Sequence, residues 1–189
     1  MMVPSLSEIA DALRGAIRLA QLDATGLRYF DRTLGGFWRS FFAAVLIAPV
    51  RVVLVIWSGE VPAGTGLARA IAVETIAYAV SWLIYPFAML LVLDLLRRRE
   101  RYFDYMVPYN WANVPAAGLF LIVAAVGSLL PDQVYLFVSL MAFVSVLIYQ
   151  WFIARVGLVV SATAAVALVL LDLVLYFAVA HITERLLVA

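Results

Sequence analysis

Five apolar stretches, each close to the length of about 20 residues that a helix needs to cross a bilayer, take up most of this chain. Hydrophobic residues make up 67% of its 189 residues, which is more than a soluble domain of this size buries in its core. We therefore predict an all-α fold: a polytopic membrane helix bundle of five transmembrane helices over residues 37–189, preceded by a cytoplasmic amphipathic arm over residues 1–36. The predicted spans are 37–57, 67–93, 114–130, 134–154 and 156–180.

The composition narrows the chemistry that the chain can perform. It contains no cysteine and one histidine, which excludes disulfides, cysteine-ligated zinc, iron–sulfur clusters and bis-histidine haem within one chain. All 13 basic residues are arginines, and 12 acidic residues nearly balance them, so no attraction to nucleic acid is expected. No constellation of nucleophile and base is recognisable. We predict a protein that is not an enzyme and holds no cofactor and no metal.

The N-terminal arm begins with a helix-start signal. Ser5 and Glu8 fit a capping box, in which each side chain hydrogen-bonds the other residue's backbone N–H. The helix that follows, roughly to Leu22, is amphipathic, and we expect it to lie on the membrane surface. Its apolar residues recur at three- to four-residue steps: Leu6, Ile9, Leu13, Ile17 and Ala20.

The arginines predict how the chain is oriented, because cytoplasmic segments retain positive charge during insertion. With a cytoplasmic N-terminus and an external C-terminus, the external side carries only Arg69 and Arg185. Arg51 falls within a span. The cytoplasmic side then carries ten arginines: Arg14, Arg18, Arg28, Arg32, Arg39, Arg97, Arg98, Arg99, Arg101 and Arg155.

Three charged residues, Arg51, Glu74 and Asp172, lie inside predicted spans. An isolated charge at mid-bilayer costs about 2.5 to 3.5 kcal/mol, so partners are expected. Arg51 and Glu74 both fall roughly 10 Å below the outer boundary at 1.5 Å per residue, and their helices are consecutive. We predict a buried cluster of these two residues, with Asp172, in the same half of the membrane, as a further candidate member. Two interpretations stay open: a charge-paired clamp between helices, or a proton or ion site in which the second carboxyl is protonated.

Small or polar residues lie on the same faces as these charges. Small residues at four-residue steps let membrane helices approach closely, so these faces are predicted to pack inside the bundle. The residues concerned are Ser40, Ala44 and Ala48 on the first span, Ser81 on the second, and Gly157, Ser161 and Ala165 on the fifth.

Residues 94–113 separate the second and third spans and are both charged and aromatic. We predict a half-buried re-entrant or interfacial loop that contacts anionic headgroups, docks a partner or packs under the bundle. Topology signalling explains its arginines equally well. The residues that would form this surface are Arg97, Arg98, Arg99, Arg101, Tyr102, Tyr105, Tyr109 and Trp111.

The segment FDRTLGGFW at residues 30–38 leads into the first span. Together with the cytoplasmic arm, five spans and external C-terminus, it resembles the Yip1-domain membrane proteins. In that family an Asp, a Gly-Pro pair and an aromatic residue recur just before the first span. Here Asp31 and Trp38 match, the spacing is one residue longer, and Gly36 stands where Pro is expected. The resemblance implies a non-enzymatic membrane protein that acts through lateral partners, the eukaryotic relatives being tied to vesicle traffic.

Two functional hypotheses follow from the sequence. The first is a scaffold or accessory subunit of a membrane assembly, in contact with the lipid bilayer and with other membrane-protein subunits or further copies of itself. The alternative is a small proton- or ion-coupled transporter that uses Arg51, Glu74 and Asp172. The arginine-only basic set, with abundant Ala, Val and Leu, resembles a high-GC bacterial proteome, which places the protein in a bacterial inner membrane.

Overall fold

A computed structural model describes residues 3–58, 65–127 and 129–188, with the side chains of 56–58 excepted. Positions 1, 2, 59–64, 128 and 189 of the predicted arm and bundle lie outside the described residues. The described chain is helical and contains no strand. Short 3₁₀ turns cover Ala24–Tyr29 and Arg99–Arg101. The α-helices are α1 (Leu6–Ala20), α2 (Leu34–Ser40), α3 (Phe42–Ser58), α4 (Leu67–Leu95), α5 (Tyr102–Gly127), α6 (Asp132–Leu158) and α7 (Ala162–Val188).

Five helical stretches of the described chain are long and apolar enough to cross a membrane. The prediction of an all-α bundle with five spans and a shorter N-terminal helix is therefore confirmed. The chain is an integral, multi-pass membrane protein. The five stretches are Leu34–Val55, Leu67–Leu95, Arg99–Gly127, Asp132–Leu158 and Ala162–Val188.

Helix α5, the third span, begins at Tyr102, about half a span earlier than the predicted start at residue 114. Residues 102–113, which we expected in a loop, form the first half of α5. The helix continues through Pro108 and Pro115, because neighbouring helices in a bundle can satisfy the carbonyl groups that proline frees. The prediction of an interfacial loop over residues 102–113 is therefore wrong, and only 96–101 connects α4 to α5.

The break between the last two spans also differs from the prediction. Helix α6 continues to Leu158 and ends where Val159 takes a left-handed backbone conformation, with φ of 54°. Ser161 then accepts a hydrogen bond from the backbone N–H of Ala164 at 3.2 Å and caps the start of α7. Gly157 therefore belongs to α6 and not to the fifth span.

Helix α1 begins with the predicted capping box. The N–H of Ser5 donates to Glu8 Oε2 at 2.8 Å, and the N–H of Glu8 donates to Ser5 Oγ at 3.2 Å. The helix packs on α5 and α6 through its small face, formed by Ala12, Gly15 and Ala16 together with Leu19. The hydroxyl of Tyr149 on α6 donates to the carbonyl of Ala16 at 2.7 Å. Larger apolar residues of the predicted face, Leu6 and Ile17, remain exposed.

Helix α5 lies at the centre of the bundle. It packs against α1, α2, α3 and α6, while α7 packs against both α6 and α4. Buried side chains are concentrated at one end, which carries α1, the turn Arg99–Arg101 and the end of α6; we call this the Arg-rich end. At the opposite end, Arg69 near the start of α4 donates to the carbonyl of Leu186 at the end of α7, at 2.7 Å.

Gly157 sets how closely α5 and α6 approach. A Cβ at this position would lie 3.0 Å from the carbonyl oxygen of Asp104 and 3.2 Å from Tyr105 Cα. Both are backbone atoms and cannot rotate away. Pro108 has no N–H to offer the carbonyl of Asp104 four residues earlier, so at this point the α5 backbone lacks a helical bond and lies directly against α6.

We expect Gly157→Ala to lower the free energy of unfolding by about 1 to 3 kcal/mol, since it forces two backbones apart in a packed core. Gly118→Ala is the matched control, because a Cβ at Gly118 on the same α5 meets nothing within 4 Å. The apparent Tm of both variants in detergent micelles provides the measurement. Equal Tm values for the two variants would contradict the prediction.

Candidate functional site

The ion pair of Arg51 and Glu74 joins α3 to α4 inside the membrane-spanning part of the bundle. Arg51 Nη2 lies 3.4 Å from Glu74 Oε2. The side chain of Arg51 is 37% exposed and that of Glu74 is 19% exposed. About one helical turn farther along α4, the hydroxyl of Tyr78 donates to the carbonyl of Ala44 on α3 at 2.7 Å. These long side chains connect the two helices, whereas the backbone of α3 packs mainly on α5 and that of α4 on α7.

Asp172 occupies a different part of the bundle and is bonded to tyrosine instead of arginine. The hydroxyl of Tyr109 on α5 lies 2.9 Å from both carboxylate oxygens of Asp172. The expected three-residue cluster therefore divides into two sites: Arg51 with Glu74, and Asp172 with Tyr109. The cause is the order of the helices, because α7 packs between α4 and α6, away from α3.

A cluster of three tyrosines surrounds this carboxylate. The rings of Tyr85 and Tyr109 lie 4.8 Å apart, and that of Tyr105 lies 5.8 Å from Tyr109. The hydroxyls of Tyr85 and Tyr105 share a hydrogen bond of 2.7 Å, and Tyr85 also donates to the carbonyl of Leu168 at 3.4 Å. The cluster thus links α4, α5 and α7 through hydroxyl groups in the interior.

Sequence reasoning missed this cluster because it assigned Tyr105 and Tyr109 to a loop. The spacing of Tyr102, Tyr105 and Tyr109, at steps of three and four residues, places all three on one face of a helix. That periodicity is the signal that could have identified the segment as a helix with an inward-facing aromatic side.

A second interior contact joins α2 to α5. Asn110 Nδ2 donates to Ser40 Oγ at 2.8 Å, and Ser40 Oγ donates to the carbonyl of Phe37 at 2.6 Å. Both Asn110 and Ser40 are buried. Within the described part of the chain, Asn110 Oδ1 has no hydrogen-bond partner. Ser40 therefore works as a packing residue, as predicted from its face, while its partner Asn110 was not anticipated.

The remaining predicted packing residues differ in how deeply they are buried. Gly157 and Ala165 are buried, and Ala44 and Ala48 are half-buried. Ser81 is exposed, and its hydroxyl donates to the carbonyl of Tyr78 in its own helix at 2.7 Å. Ser161 is exposed and caps α7. The predictions for Ser81 and Ser161 as interhelical packing residues are wrong.

Most rings of the predicted headgroup or partner surface lie inside the bundle. Tyr105 and Trp111 are buried and Tyr109 bonds Asp172, so these three rings form no docking surface. Tyr102 is largely buried against Phe37. Of the arginines, Arg99 contacts Asp94 at 3.3 Å and Arg101 contacts Asp104 at 3.4 Å. Arg97 and Arg98 follow the end of α4 in the connection.

The segment before the first span is held by Arg39 on α2. The guanidinium of Arg39 contacts Asp31 and, at 3.2 Å, Glu8 of α1. Hydrogen bonding from the Ser5 backbone, with Arg39 nearby, lowers the pKa of Glu8 below its usual range. The charged form of Glu8 is therefore favoured, and its contribution to the arm is lost only as the pH falls through this lowered value.

The geometry of the same segment requires a glycine at position 36. Its N–H donates to Thr33 Oγ1 at 3.1 Å and so caps α2. A Cβ at Gly36 would lie 1.8 Å from the carbonyl oxygen of Asp31. A proline at this position would lack the N–H that Thr33 receives, so the departure from the Gly-Pro pattern is consistent with the local geometry.

The described residues offer no group of three His, Asp or Glu side chains that could hold a metal ion. The arrangement instead joins helices through polar contacts: Arg51 with Glu74, Tyr109 with Asp172, and Ser40 with Asn110. Each contact bridges different helices, so chemically the site is a set of interhelical bonds.

A double-mutant cycle tests the energetic role of the intramembrane ion pair. We expect Arg51→Met and Glu74→Leu to destabilise the bundle separately, and the double variant to be less destabilised than their sum by about 0.5 to 3 kcal/mol. The exposed pair of Arg14 and Asp11, 3.4 Å apart on α1, is the control, with expected coupling of about 0 to 1 kcal/mol. Unfolding in detergent gives the four free energies of each cycle. Additive effects of the two substitutions at Arg51 and Glu74 would contradict the prediction.

Comparisons of the chain with protein-family models, with curated proteins and with solved structures give no match. The resemblance to Yip1-domain proteins, carried by Asp31 and Trp38, therefore stays a prediction.

Proposed function

We propose that this chain is a non-enzymatic scaffold or accessory subunit of a membrane assembly. It would reside in a bacterial inner membrane with the Arg-rich end facing the cytoplasm. The positive-inside rule supports this orientation, since only Arg69 and Arg185 would lie on the external side. The Yip1-like segment at residues 30–38 supports a role through lateral partners.

The observation that carries the proposal is the exposure of the Arg51–Glu74 pair. More than a third of the Arg51 side chain is accessible, although the residue lies within a membrane-spanning stretch. Charged groups facing lipid at this depth are costly, and such residues usually face protein. A second membrane-spanning surface placed against α3 and α4 would remove this cost. We infer that this flank of the bundle is where a partner subunit or a second copy binds.

The rest of the bundle supports a structural role for the chain. Polar groups in the interior are used to hold helices together, as in the bonds of Tyr109 with Asp172 and of Asn110 with Ser40. The compact Arg-rich end supplies a stable frame, and the flank near Arg51 supplies the proposed contact. A packed end together with a separate contact flank fits a subunit that positions another membrane protein.

Site-specific crosslinking tests the proposed flank. Because the chain has no cysteine, one introduced cysteine reports one position. Ile71 lies one turn before Glu74 on the same face of α4 and is exposed; Leu140 is exposed on α6 at the same end of the bundle and serves as control. We expect Ile71→Cys to form a crosslinked adduct of defined mass in native membranes and Leu140→Cys to form none. An adduct of twice the chain mass identifies a second copy.

Native mass measurement after gentle extraction completes that experiment. The same partner should co-purify with the wild-type chain and be lost from the Arg51→Met/Glu74→Leu variant. A monomer that yields no adduct from Ile71→Cys in native membranes would overturn the proposed function.

A second candidate, proton-coupled transport, is favoured by one specific contact. Asp172 is held by the hydroxyl of Tyr109, and carboxyl groups inside membranes commonly relay protons. If this candidate is correct, the lumen of proteoliposomes that contain the wild-type chain acidifies when a proton gradient is imposed across their membrane. The Asp172→Asn variant then abolishes this proton flux. Asp132→Asn, at the exposed start of α6, should leave it intact. Equal flux in empty and protein-containing vesicles would reject transport.

A further inference from the structure

A groove of about 350 Å³ opens on the side of the bundle between α2 and α4. This volume lies within the range of about 300 to 1,000 Å³ that is common for ligand pockets. The groove exists because α2 packs on α5 and α3, whereas α4 packs mainly on α7. Trp38 of α2 and Leu90 of α4 both line it. We call this feature the α2–α4 groove.

The wall formed by α4 is apolar along its length. Leu83, Phe87 and Leu90 succeed one another at steps of four and three residues, which places them on one face of the helix over about 10 Å. All three side chains are exposed. The described chain crosses a membrane at this helix, so what surrounds these side chains is lipid.

The floor of the groove is aromatic. The rings of Phe37 and Tyr102 lie 5.4 Å apart in an edge contact. The Tyr102 hydroxyl donates to the carbonyl of Pro86 at 3.1 Å and is thereby occupied. A ligand in the groove therefore meets hydrocarbon and ring edges, which suits a flexible apolar chain.

The mouth of the groove is positively charged. Arg99 lines it, and the Arg99 side chain is 74% exposed although it lies 3.3 Å from Asp94. Arg97 and Arg98 precede it in the same connection. Trp38, half-exposed at the side of the groove, is the residue type that sits at the level of lipid headgroups.

We infer that the α2–α4 groove binds one anionic phospholipid, with an acyl chain between α2 and α4 and the phosphate against Arg99. The apolar wall and the basic mouth occur in the order that a phospholipid requires, tail toward the bilayer centre and phosphate toward the Arg-rich end. Basic pockets at the ends of membrane helices are a known form of headgroup recognition. An acyl chain in the groove makes many van der Waals contacts with the aromatic floor and the apolar wall, each small but collectively large. An extended peptide would leave its backbone N–H groups unpaired against this apolar wall.

The test uses the full-length protein in vesicles of equal parts phosphatidylcholine and phosphatidylglycerol, followed by native mass measurement of retained lipid. We expect the wild-type chain to retain one phosphatidylglycerol. Arg99→Gln should weaken retention by about fivefold, the effect of one basic residue near an anionic surface. Leu90→Trp, which fills the groove without changing its charge, should abolish retention.

Two matched variants separate the groove from general effects. Arg155→Gln removes an exposed arginine at the same end of the bundle, on α6, and Leu91→Trp adds the same ring to the adjacent exposed position of α4 outside the groove. Both should retain lipid as the wild type does, and all four variants should keep their apparent Tm. Equal retention by Leu90→Trp and Leu91→Trp, or equal retention of phosphatidylcholine and phosphatidylglycerol, would overturn the inference. This result is independent of whether a partner binds the flank near Arg51.

Discussion

The hydrocarbon core of a bilayer contains no water, so each polar group carried into it needs a partner within the protein. Helix α5 bears the largest share of this requirement because its first half contains Tyr105, Tyr109 and Asn110. In this fold those groups bond to α4, α7 and α2 respectively. The central position of α5 follows directly, since a helix with polar groups on several sides is stable only when other helices surround it.

Close backbone contacts are the second requirement of the same packing. Hydrophobic burial contributes little between helices in lipid, and association depends on van der Waals contact and hydrogen bonds. Gly157 lets α6 approach the carbonyl of Asp104, and Ala16 lets α1 come near enough for Tyr149 to reach its backbone. Small residues and tyrosine hydroxyls thus act together: the first bring two helices near, and the second fix their register.

Hydropathy was sufficient to predict five spans, because a stretch of about 20 apolar residues has few alternatives to crossing the membrane. Hydropathy failed, however, to identify the first half of α5 as part of a span. Its tyrosines and Asn110 lower the local hydropathy to that of a loop, although the tyrosine hydroxyls and the Asn110 amide N–H are bonded inside the bundle. Hydropathy measures the cost of exposing a residue to lipid and carries no information about the partner that removes this cost.

The intramembrane charges show that sequence patterns also carry little information about which helices lie side by side. Depth along a helix can be calculated from sequence, and two helices joined by a short connection are usually neighbours; these facts sufficed to pair Arg51 with Glu74. The lateral position of α7 depends on packing with α4 and α6, which no local pattern encodes, so Asp172 was assigned to the wrong neighbours. The α6–α7 break was misplaced for a related reason. Val159 is β-branched and takes a positive φ, a conformation that its residue type disfavours and that the surrounding contacts must impose.

The distribution of buried residues has a consequence for how such a bundle can work. At the Arg-rich end the helices are held by the tyrosine cluster, by Asn110 with Ser40 and by the docked α1. Toward the opposite end, few described side chains of α5 and α6 are buried, Val123 and Ala142 among them. Because the contacts that define the fold are concentrated at the Arg-rich end, a neighbour that binds toward the opposite end disturbs few of them. The Arg51–Glu74 pair, with the Arg51 side chain 37% exposed, lies toward that opposite end, so a partner helix would cover it there without disturbing the packed end.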